Sequence, residues 1–191
     1  TEDIAMLRSI PNVTVLSPAD AREAYKATVA AVDCPQTVFI RLGGRTPEPV
    51  LYPEEYDFEI GKAVTLREGS DAAIVATGSL VIHAVVASDI LREEGLRVRV
   101  LNVHTIKPLD EEAVAEAARE TGCVVTAEEH SVLGGLGGAV AEVLGDRCPV
   151  PLKRVGINDI FASVGPLHQL QDKYGLTQEG IMSAVREVVS R

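Results

Sequence analysis

Residues 72–103, AAIVATGSLVIHAVVASDILREEGLRVRVLNV, decide the fold of this chain. Residues 72–76 are an uninterrupted apolar run, and a Thr-Gly-Ser turn separates them from a stretch with helical apolar spacing that reaches Glu94. Gly95 then ends the helix, since glycine is common just past a helix C-terminus. Arg97–Val103 alternates apolar side chains with two arginines, as a strand does. A strand, a helix and a second strand in this order predict a mostly parallel β-sheet covered by helices.

The same alternation extends in both directions along the chain. Downstream, Asp110 has the side chain and position of a helix N-cap, and strands are predicted at 123–126 and 152–155, with helices between and after them. Upstream, residues 1–42 give a helix, a strand, a second helix and a second strand, and Ser17 is the predicted N-cap of that second helix. The chain is therefore predicted to be an α/β protein.

A change in composition divides the chain. Residues 43–56 hold glycines and prolines with little apolar periodicity, which is typical of a linker. We therefore predict a first unit at 1–44, a linker at 45–60 and a second domain at 61–191. A long surface loop within one domain is the alternative.

Composition narrows the function classes. The 191 residues are 46% hydrophobic and 24% charged, which is ordinary for a globular protein. The net charge of −10 argues against a nucleic-acid partner, which needs a basic face, and against electrostatic binding to a membrane. No run of about 18 apolar residues could cross a bilayer, and no leader peptide is visible. The three cysteines lie far apart, which fits neither a disulfide framework nor a zinc site and predicts a cytoplasmic protein.

A glycine cluster, GGLGG at 134–138, follows a predicted strand and opens a predicted helix. That context suits a phosphate held at a helix N-terminus. The dinucleotide fingerprint also requires a small residue where Val140 stands, and an acidic residue at the end of the next strand, where Val155-Gly156-Ile157 stand. Close packing of the helix is therefore the favoured interpretation of these glycines, and nucleotide binding is the alternative.

Charged and imidazole side chains follow two predicted strands. Glu128, Glu129 and His130 come at the end of one strand, where ligands bind in open α/β sheets, and paired carboxylates beside a histidine can do acid–base work. A solvated loop or a polar interface is the favoured interpretation of this triplet. His104 follows another strand and either faces a cleft with His130 or is structural. The histidines and cysteines lack the spacing of a metal site.

Two arginines, Arg41 and Arg45, flank the glycines at the end of the first unit. Ligands often bind where domains meet, and the guanidinium fork is well suited to phosphate. Both residues are therefore candidate phosphate ligands, with plain solvent exposure as the alternative.

Several stretches, in this order and at this spacing, resemble the transketolase family across the whole chain. They match the end of its pyrimidine-binding domain and its three-layer α/β/α C-terminal domain. They are Glu2–Arg8, Ile10–Val15, Pro18–Asp20, Val38–Leu42, Ala76–Ser79, His104–Asp110, Glu128–Ser131, Gly134–Gly137, Asp159–Gly165 and Tyr174–Thr177. The resemblance implies an end of a pyrimidine-binding domain followed by a C-terminal domain with a mostly parallel sheet.

The resemblance also implies an activity, in which thiamine diphosphate and Mg²⁺ serve the transfer of a two-carbon ketol unit between sugar phosphates. The glutamate that contacts the cofactor's aminopyrimidine and the residues that bind its diphosphate and metal have no counterpart in this chain. The resemblance therefore implies an N-terminal partner subunit or segment and an assembly such as a homodimer or heterotetramer. Arg41 or Arg45 would bind the substrate phosphate, and His104 and the 128–130 triplet would border the cleft or an interface.

Three other assignments share parts of this pattern. Deoxyxylulose-phosphate synthase and the β subunit of 2-oxo acid dehydrogenases have the same architecture. A non-catalytic dimerisation or regulatory module would keep the fold without the chemistry. The HTIKPLD stretch at 104–110 and the Glu-Glu-His triplet favour transketolase.

Overall fold

The computed structural model describes residues 1–43, 50–51 and 56–190. In these ranges the helices are α1 (Asp3–Arg8), α2 (Ala21–Val32), α3 (Leu80–Glu93), α4 (Glu111–Thr121), α5 (Leu136–Arg147), α6 (Leu167–Tyr174) and α7 (Gln178–Val189). The strands are β1 (Val13–Leu16), β2 (Thr37–Ile40), β3 (Val64–Arg67), β4 (Ala72–Ala76), β5 (Val98–Asn102), β6 (Thr105–Lys107), β7 (Val124–Ser131) and β8 (Leu152–Ile157).

The larger sheet has the strand order β3-β5-β4-β7-β8. Its pairs are parallel except for β3, which runs antiparallel to β5 at one edge. Successive side chains of a strand point to opposite faces, so Ile74 packs with α3 and α7 while Val75 packs with α4 and α5. Helices cover both faces, which confirms the predicted three-layer α/β/α fold and its mostly parallel sheet.

The smaller sheet has the order β2-β1-β6. The parallel pair β1 and β2 was expected from the alternation in residues 1–42, and Val13 lies opposite Thr37. The antiparallel strand β6 was not expected, because three residues are too short to produce a readable period. Since β6 follows β5 in the chain, the second unit contributes a strand to the sheet of the first.

The predicted start of the second helix is wrong. Helix α2 begins at Ala21, and its N-cap is Asp20, whose Oδ1 accepts the Glu23 amide at 2.8 Å. Ser17 instead has both backbone groups engaged outside the helix: its amide donates to the His104 carbonyl at 2.8 Å, and its carbonyl accepts the Gly78 amide at 3.1 Å. An extended residue committed to such bonds cannot also begin a helix.

The predicted linker at 45–60 is described only in part. Residues 44–49, which include Arg45, and residues 52–55 lie outside the described residues. Two described residues of the linker contact α2 and its N-cap: the Leu51 amide donates to Asp20 Oδ2 at 2.7 Å, and the Tyr56 hydroxyl donates to Glu23 Oε1 at 2.8 Å. None of the helices in the described ranges is long and apolar enough to cross a membrane.

Candidate functional site

The triplet of Glu128, Glu129 and His130 lies inside β7, which runs on to Ser131. The prediction of a strand end at 126 and a loop after it is therefore wrong. Side chains alternate along a strand, so Glu128 and His130 share one side and are fully buried, whereas Glu129 lies on the other side and is half-buried. His130 and the Glu129 carbonyl bond to the N-terminal unit, whereas Glu128 bonds to the start of α5.

Glu128 caps helix α5 from within the sheet. Its Oε2 accepts the Leu136 amide at 2.7 Å and its Oε1 accepts the Gly137 amide at 2.8 Å. Burial raises the pKa of Glu128 to about 7, although the two amides and the charges of Arg8 and Arg154 favour the carboxylate.

The same bonds decide what the glycine cluster does. The amides that a phosphate would use at the start of α5 already donate to Glu128. A Cβ at Gly135 would lie 2.1 Å from Glu128 Oε2, so the absence of a side chain there lets the carboxylate approach the helix. Close approach of a protein group, rather than a nucleotide phosphate, explains this glycine.

His130 is held as one neutral tautomer. Its Nδ1 lies 2.8 Å from the Ser131 carbonyl, which can only accept, so Nδ1 carries the proton. Its Nε2 then accepts the Ala5 amide at 3.3 Å. Burial lowers the pKa of His130, which also keeps the ring neutral. With both nitrogens committed to backbone groups, His130 fastens α1 to β7 and has no nitrogen left for proton transfer in this arrangement.

Arg41, directly after β2, bonds to α1 and to β7. Its Nε donates to Asp3 Oδ2 of α1 at 2.9 Å, and its Nη2 donates to the Glu129 carbonyl of β7 at 3.0 Å. Glu129 in turn accepts the hydroxyl of Ser79, at the start of α3, at 2.7 Å. Burial acts to raise the pKa of Asp3, but the Arg41 charge outweighs it and the pKa is lowered.

His104 lies in the short connection between β5 and β6. Its Nδ1 is 2.9 Å from the Thr105 hydroxyl, its ring stacks on Phe58 with centroids 4.2 Å apart, and its buried Nε2 has no partner among the described residues. Burial lowers the pKa of His104 to about 4, so the imidazole is neutral at pH 7. The described contacts of His104 and His130 have no residue in common.

Sequence reasoning missed Glu23, a fully buried carboxyl group of α2 that bonds to Asn102 of β5. Its Oε2 accepts the Ala19 amide at 2.6 Å, and its Oε1 accepts both the Tyr56 hydroxyl and the Asn102 side-chain amide at 2.8 Å. Burial raises the pKa of Glu23, against these hydrogen bonds. The spacing Asp20-x-x-Glu23 is the signal that could have revealed it, because an acidic residue three positions after an N-cap typically bonds back to the backbone there.

Neither of the two buried glutamates among the described residues is free to bind thiamine diphosphate. The buried carboxyl groups of Glu23 and Glu128 have both oxygens engaged by other groups, so neither faces a free position where an aminopyrimidine could bind. No cluster of three His, Cys, Asp or Glu side chains suited to a metal ion occurs within 1–43, 50–51 and 56–190. What the described residues provide is a network of polar contacts, called the junction below, that joins the N-terminal residues to the strands of the larger sheet.

Comparisons with known proteins identify the family to which this fold and sequence correspond. Residues 61–181 match the family model described as "Transketolase, C-terminal domain". The 6-deoxy-6-sulfo-D-fructose transketolase subunit SqwH of Clostridium sp. (strain MSTE9) is 48% identical over 100% of this chain and 59% of its own length. A protein of Phocaeicola vulgatus named as one subunit of an apulose-4-phosphate transketolase is 42% identical over 99% of this chain and 60% of its own length.

One solved structure is similar throughout. It is a "Split gene transketolase, inactive beta4 tetramer", which superposes with a TM-score of 0.95 at 43% identity over 99% of this chain and 62% of that one. The chain thus spans about 60% of the length of the two curated relatives named above.

Proposed function

The chain belongs to the family of transketolase C-terminal domains, and from that premise we propose that it is the C-terminal part of a transketolase that acts only in an assembly. In the proposed reaction the assembly moves a two-carbon ketol unit between sugars that carry an anionic group. Thiamine diphosphate, with Mg²⁺, supplies the carbanion chemistry when it is bound elsewhere in the assembly. The observation that carries this proposal is the agreement of fold and sequence over the full chain with proteins named as transketolase subunits.

This chain's own contribution is to hold its two units in one geometry. Arg41 joins α1 to β7, His130 fastens the same helix, and Glu23 ties α2 to Asn102 of β5. Groups held by such networks lose little freedom when a substrate arrives, which is how a support domain aids a reaction that it does not perform. We keep the division into 1–44, 45–60 and 61–191 as part of the proposal.

We assign the two candidate arginines different roles. Two nitrogens of Arg41 already bind Asp3 and the Glu129 carbonyl, so Arg41 is a positioning residue. Arg45, four residues further along the chain, is then the proposed ligand for the phosphate or sulfonate of the substrate. The substrates named for the two relatives carry a sulfonate and a phosphate, so an arginine fork suits both.

The assembly needs a second component that binds the cofactor. We propose that this is an N-terminal transketolase subunit or segment, and that without it the chain associates with copies of itself, as the name of the solved relative says of that protein. A reducing compartment, the cytoplasm, suits the three free thiols at Cys34, Cys123 and Cys148. A non-catalytic dimerisation module is the second candidate, because the solved relative is named as an inactive tetramer.

Reconstitution tests the proposal. The chain is mixed with the cofactor-binding transketolase subunit from its own source, with thiamine diphosphate and Mg²⁺ added, and ketol transfer is followed with a ketose phosphate, apulose 4-phosphate or 6-deoxy-6-sulfo-D-fructose as donor. We expect turnover only in the mixture. Turnover by the chain alone would overturn the proposal, and a stable complex without turnover on any donor would favour the non-catalytic module.

The arginine assignment has its own test in the same assay. We expect Arg45→Ala to raise KM for the anionic donor by about tenfold or more, because it removes a charge-assisted contact, while the melting temperature stays unchanged. Arg41→Ala should lower the melting temperature instead. The reverse pattern would assign substrate binding to Arg41.

A further inference from the structure

The first turn of α1 is capped by a side chain from another element. Its N-cap residue, Glu2, makes no side-chain hydrogen bond to the helix backbone. The amide of Ala5, the third residue of α1, donates instead to His130 Nε2 of β7 at 3.3 Å. An amide in the first turn of a helix has no partner within the helix, so an acceptor from elsewhere satisfies it. The contact therefore depends on a lone pair at Nε2, which the ring has only while it is neutral.

A second acceptor lies beside the same nitrogen. Asp3 Oδ1 is 4.0 Å from His130 Nε2, is buried, and has no hydrogen-bond partner among the described residues. The amino group of Thr1 is 3.9 Å from this oxygen, which is beyond hydrogen-bond distance. The other carboxylate oxygen, Oδ2, accepts Arg41 Nε at 2.9 Å, which holds the group in place. A proton at Nε2 would give Oδ1 the donor that it lacks.

We propose that His130 is a proton-operated clamp on α1, with two mutually exclusive arrangements. While the ring is neutral, Nε2 accepts the Ala5 amide and fastens the helix to β7. When Nε2 takes up a proton from solvent, it can no longer accept, and its new N–H faces the N–H of Ala5. The ring then donates to Asp3 Oδ1, Nδ1 keeps its own proton, and the Ala5 amide is released. Acid therefore loosens α1 from β7 while the larger sheet stays folded.

The groups around the ring determine where this exchange takes place. Burial lowers the pKa of His130, so protonation requires a pH below the ordinary value of 6.5. The carbonyls of Ser131 and Glu2 and the charge of Asp3 favour the protonated ring, whereas the charge of Arg41 opposes it. The pKa of Asp3 is itself lowered, so this carboxylate is still charged when the ring takes up its proton.

Glu128 is not the counter-ion of the protonated ring. Its Oε2 lies 3.7 Å from His130 Nδ1, which carries a proton in both arrangements. Burial raises the pKa of Glu128 to about 7, so this carboxyl group is mostly protonated at the lower pH at which His130 titrates. The charges of Arg8 and Arg154 act on Glu128 and favour its carboxylate. Helix α5 approaches the ring at Gly135, where a Cβ would lie 2.6 Å from Nδ1, and this residue adds no charge.

The test follows the His130 ring and the Ala5 amide in one titration of the chain, from about pH 8 to about pH 4.5. Deuterium exchange at the imidazole C2 position, measured by mass spectrometry on the peptide that contains His130, gives the midpoint for the ring. Hydrogen exchange of the Ala5 amide, measured by NMR and divided by the rate of an unstructured peptide at the same pH, reports the contact. We expect a ring midpoint below 6.5 and a corrected Ala5 exchange rate that rises by about tenfold or more at the same midpoint.

Two variants distinguish the clamp from a general loss of structure in acid. His130→Gln offers an amide oxygen to Ala5 and has no ring to titrate, so its corrected exchange rate should not change at that midpoint. Asp3→Asn removes the charge that receives the protonated ring, so the ring midpoint should fall by about half a unit or more. His83→Gln is the matched control, because His83 lies on α3 and bonds to Gln178, and it should reproduce the wild-type profile.

Several outcomes would overturn the inference. They are an Ala5 exchange rate that stays level while the His130 ring titrates, the same rise in His130→Gln, and a ring midpoint that Asp3→Asn leaves unchanged. A ring that takes up no proton before the whole chain unfolds would overturn it as well. The measurement requires neither cofactor nor substrate, so failure of the proposed activity would leave the clamp intact, and failure of the clamp would leave the proposed activity intact.

Discussion

Replacing Glu128 by glutamine tests the buried cap of α5. The glutamine carbonyl can still accept one amide, but its NH₂ nitrogen cannot accept the other. Both oxygens of the wild-type carboxyl group can accept, even when the group is protonated, so the substitution leaves one buried donor without its acceptor. Leaving one such group unsatisfied costs about 1–3 kcal/mol. The variant should therefore unfold at a lower urea concentration than the wild-type chain.

The difference in stability between the wild-type chain and Glu128→Gln should also depend on pH, and this dependence is the more specific test. The pKa of Glu128 is raised from its ordinary value of 4.5 to about 7 by burial, so the folded state favours the protonated acid. This contribution to stability is complete below pH 4.5 and is lost as the pH rises through 7, because the unfolded chain releases its proton earlier. Between pH 5 and pH 8 the wild-type chain should lose about 2 kcal/mol of its free energy of unfolding through Glu128. The variant keeps this amount, because it has no titratable group at position 128. The gap between the two proteins should therefore narrow as the pH rises.

Urea unfolding followed by far-ultraviolet circular dichroism, at one protein concentration and at pH 5, 6, 7 and 8, measures this gap. Glu116→Gln is the matched control, because Glu116 is exposed on α4, and its gap should stay near zero at every pH. A gap that widens with pH would mean that the α5 amides and nearby arginines outweigh burial and hold Glu128 ionised. A constant gap would mean that folding leaves the pKa unchanged, and either result refutes the reasoning.

The remaining predictions concern the same junction. Gly135→Ala places a methyl group 2.1 Å from Glu128 Oε2 and should lower the free energy of unfolding in urea by about 1–3 kcal/mol. Gly145→Ala, in α5, meets nothing within 4 Å and should raise it by up to about 1 kcal/mol. Equal effects of the two substitutions would contradict the capping role of Glu128. Arg41→Ala should destabilise by about 1–3 kcal/mol and raise the pKa of the Asp3 carboxyl, observable by carbon-13 NMR, since the Arg41 charge is what lowers it. His104 should stay neutral through pH 5.5 in an NMR titration, and a midpoint near 6.5 would show that the imidazole is not desolvated.

The strands of the larger sheet could be predicted because their burial is visible in the sequence. Residues 72–76 are apolar at every position since β4 is covered on both faces, and such a run has few other interpretations. Helix α4 was equally clear, because Asp110 caps it through its own side chain, which accepts the Ala113 amide at 3.2 Å. Local chemistry alone specifies both elements.

The junction could not be predicted in the same way. Glu128 can lie in a buried strand because the amides that donate to it belong to residues eight and nine positions later, a relation that no local period records. A Glu-Glu-His triplet without that information resembles a solvated loop. Ser17 and Asp20 are both good N-cap residues, and only the backbone bonds of Ser17 to His104 and Gly78 decide between them. The role of Arg41 likewise depends on a carbonyl far along the chain.

Strand β6 has a consequence for anyone who exchanges modules between related proteins. Because Thr105–Lys107 pairs with β1, a chimera that joins one protein's N-terminal unit to another's C-terminal domain inherits a foreign strand in the smaller sheet. Lys107 adds to this dependence, since its ammonium donates to the carbonyls of Arg8 and Ile10 at 2.9 and 2.6 Å. A crossover placed in the 45–60 segment will therefore succeed only between parents whose β1 and β6 edges match. The division of the chain into two sheets therefore does not coincide with the boundary at 45–60 that the sequence suggests, because β6 lies beyond that segment and still pairs with β1.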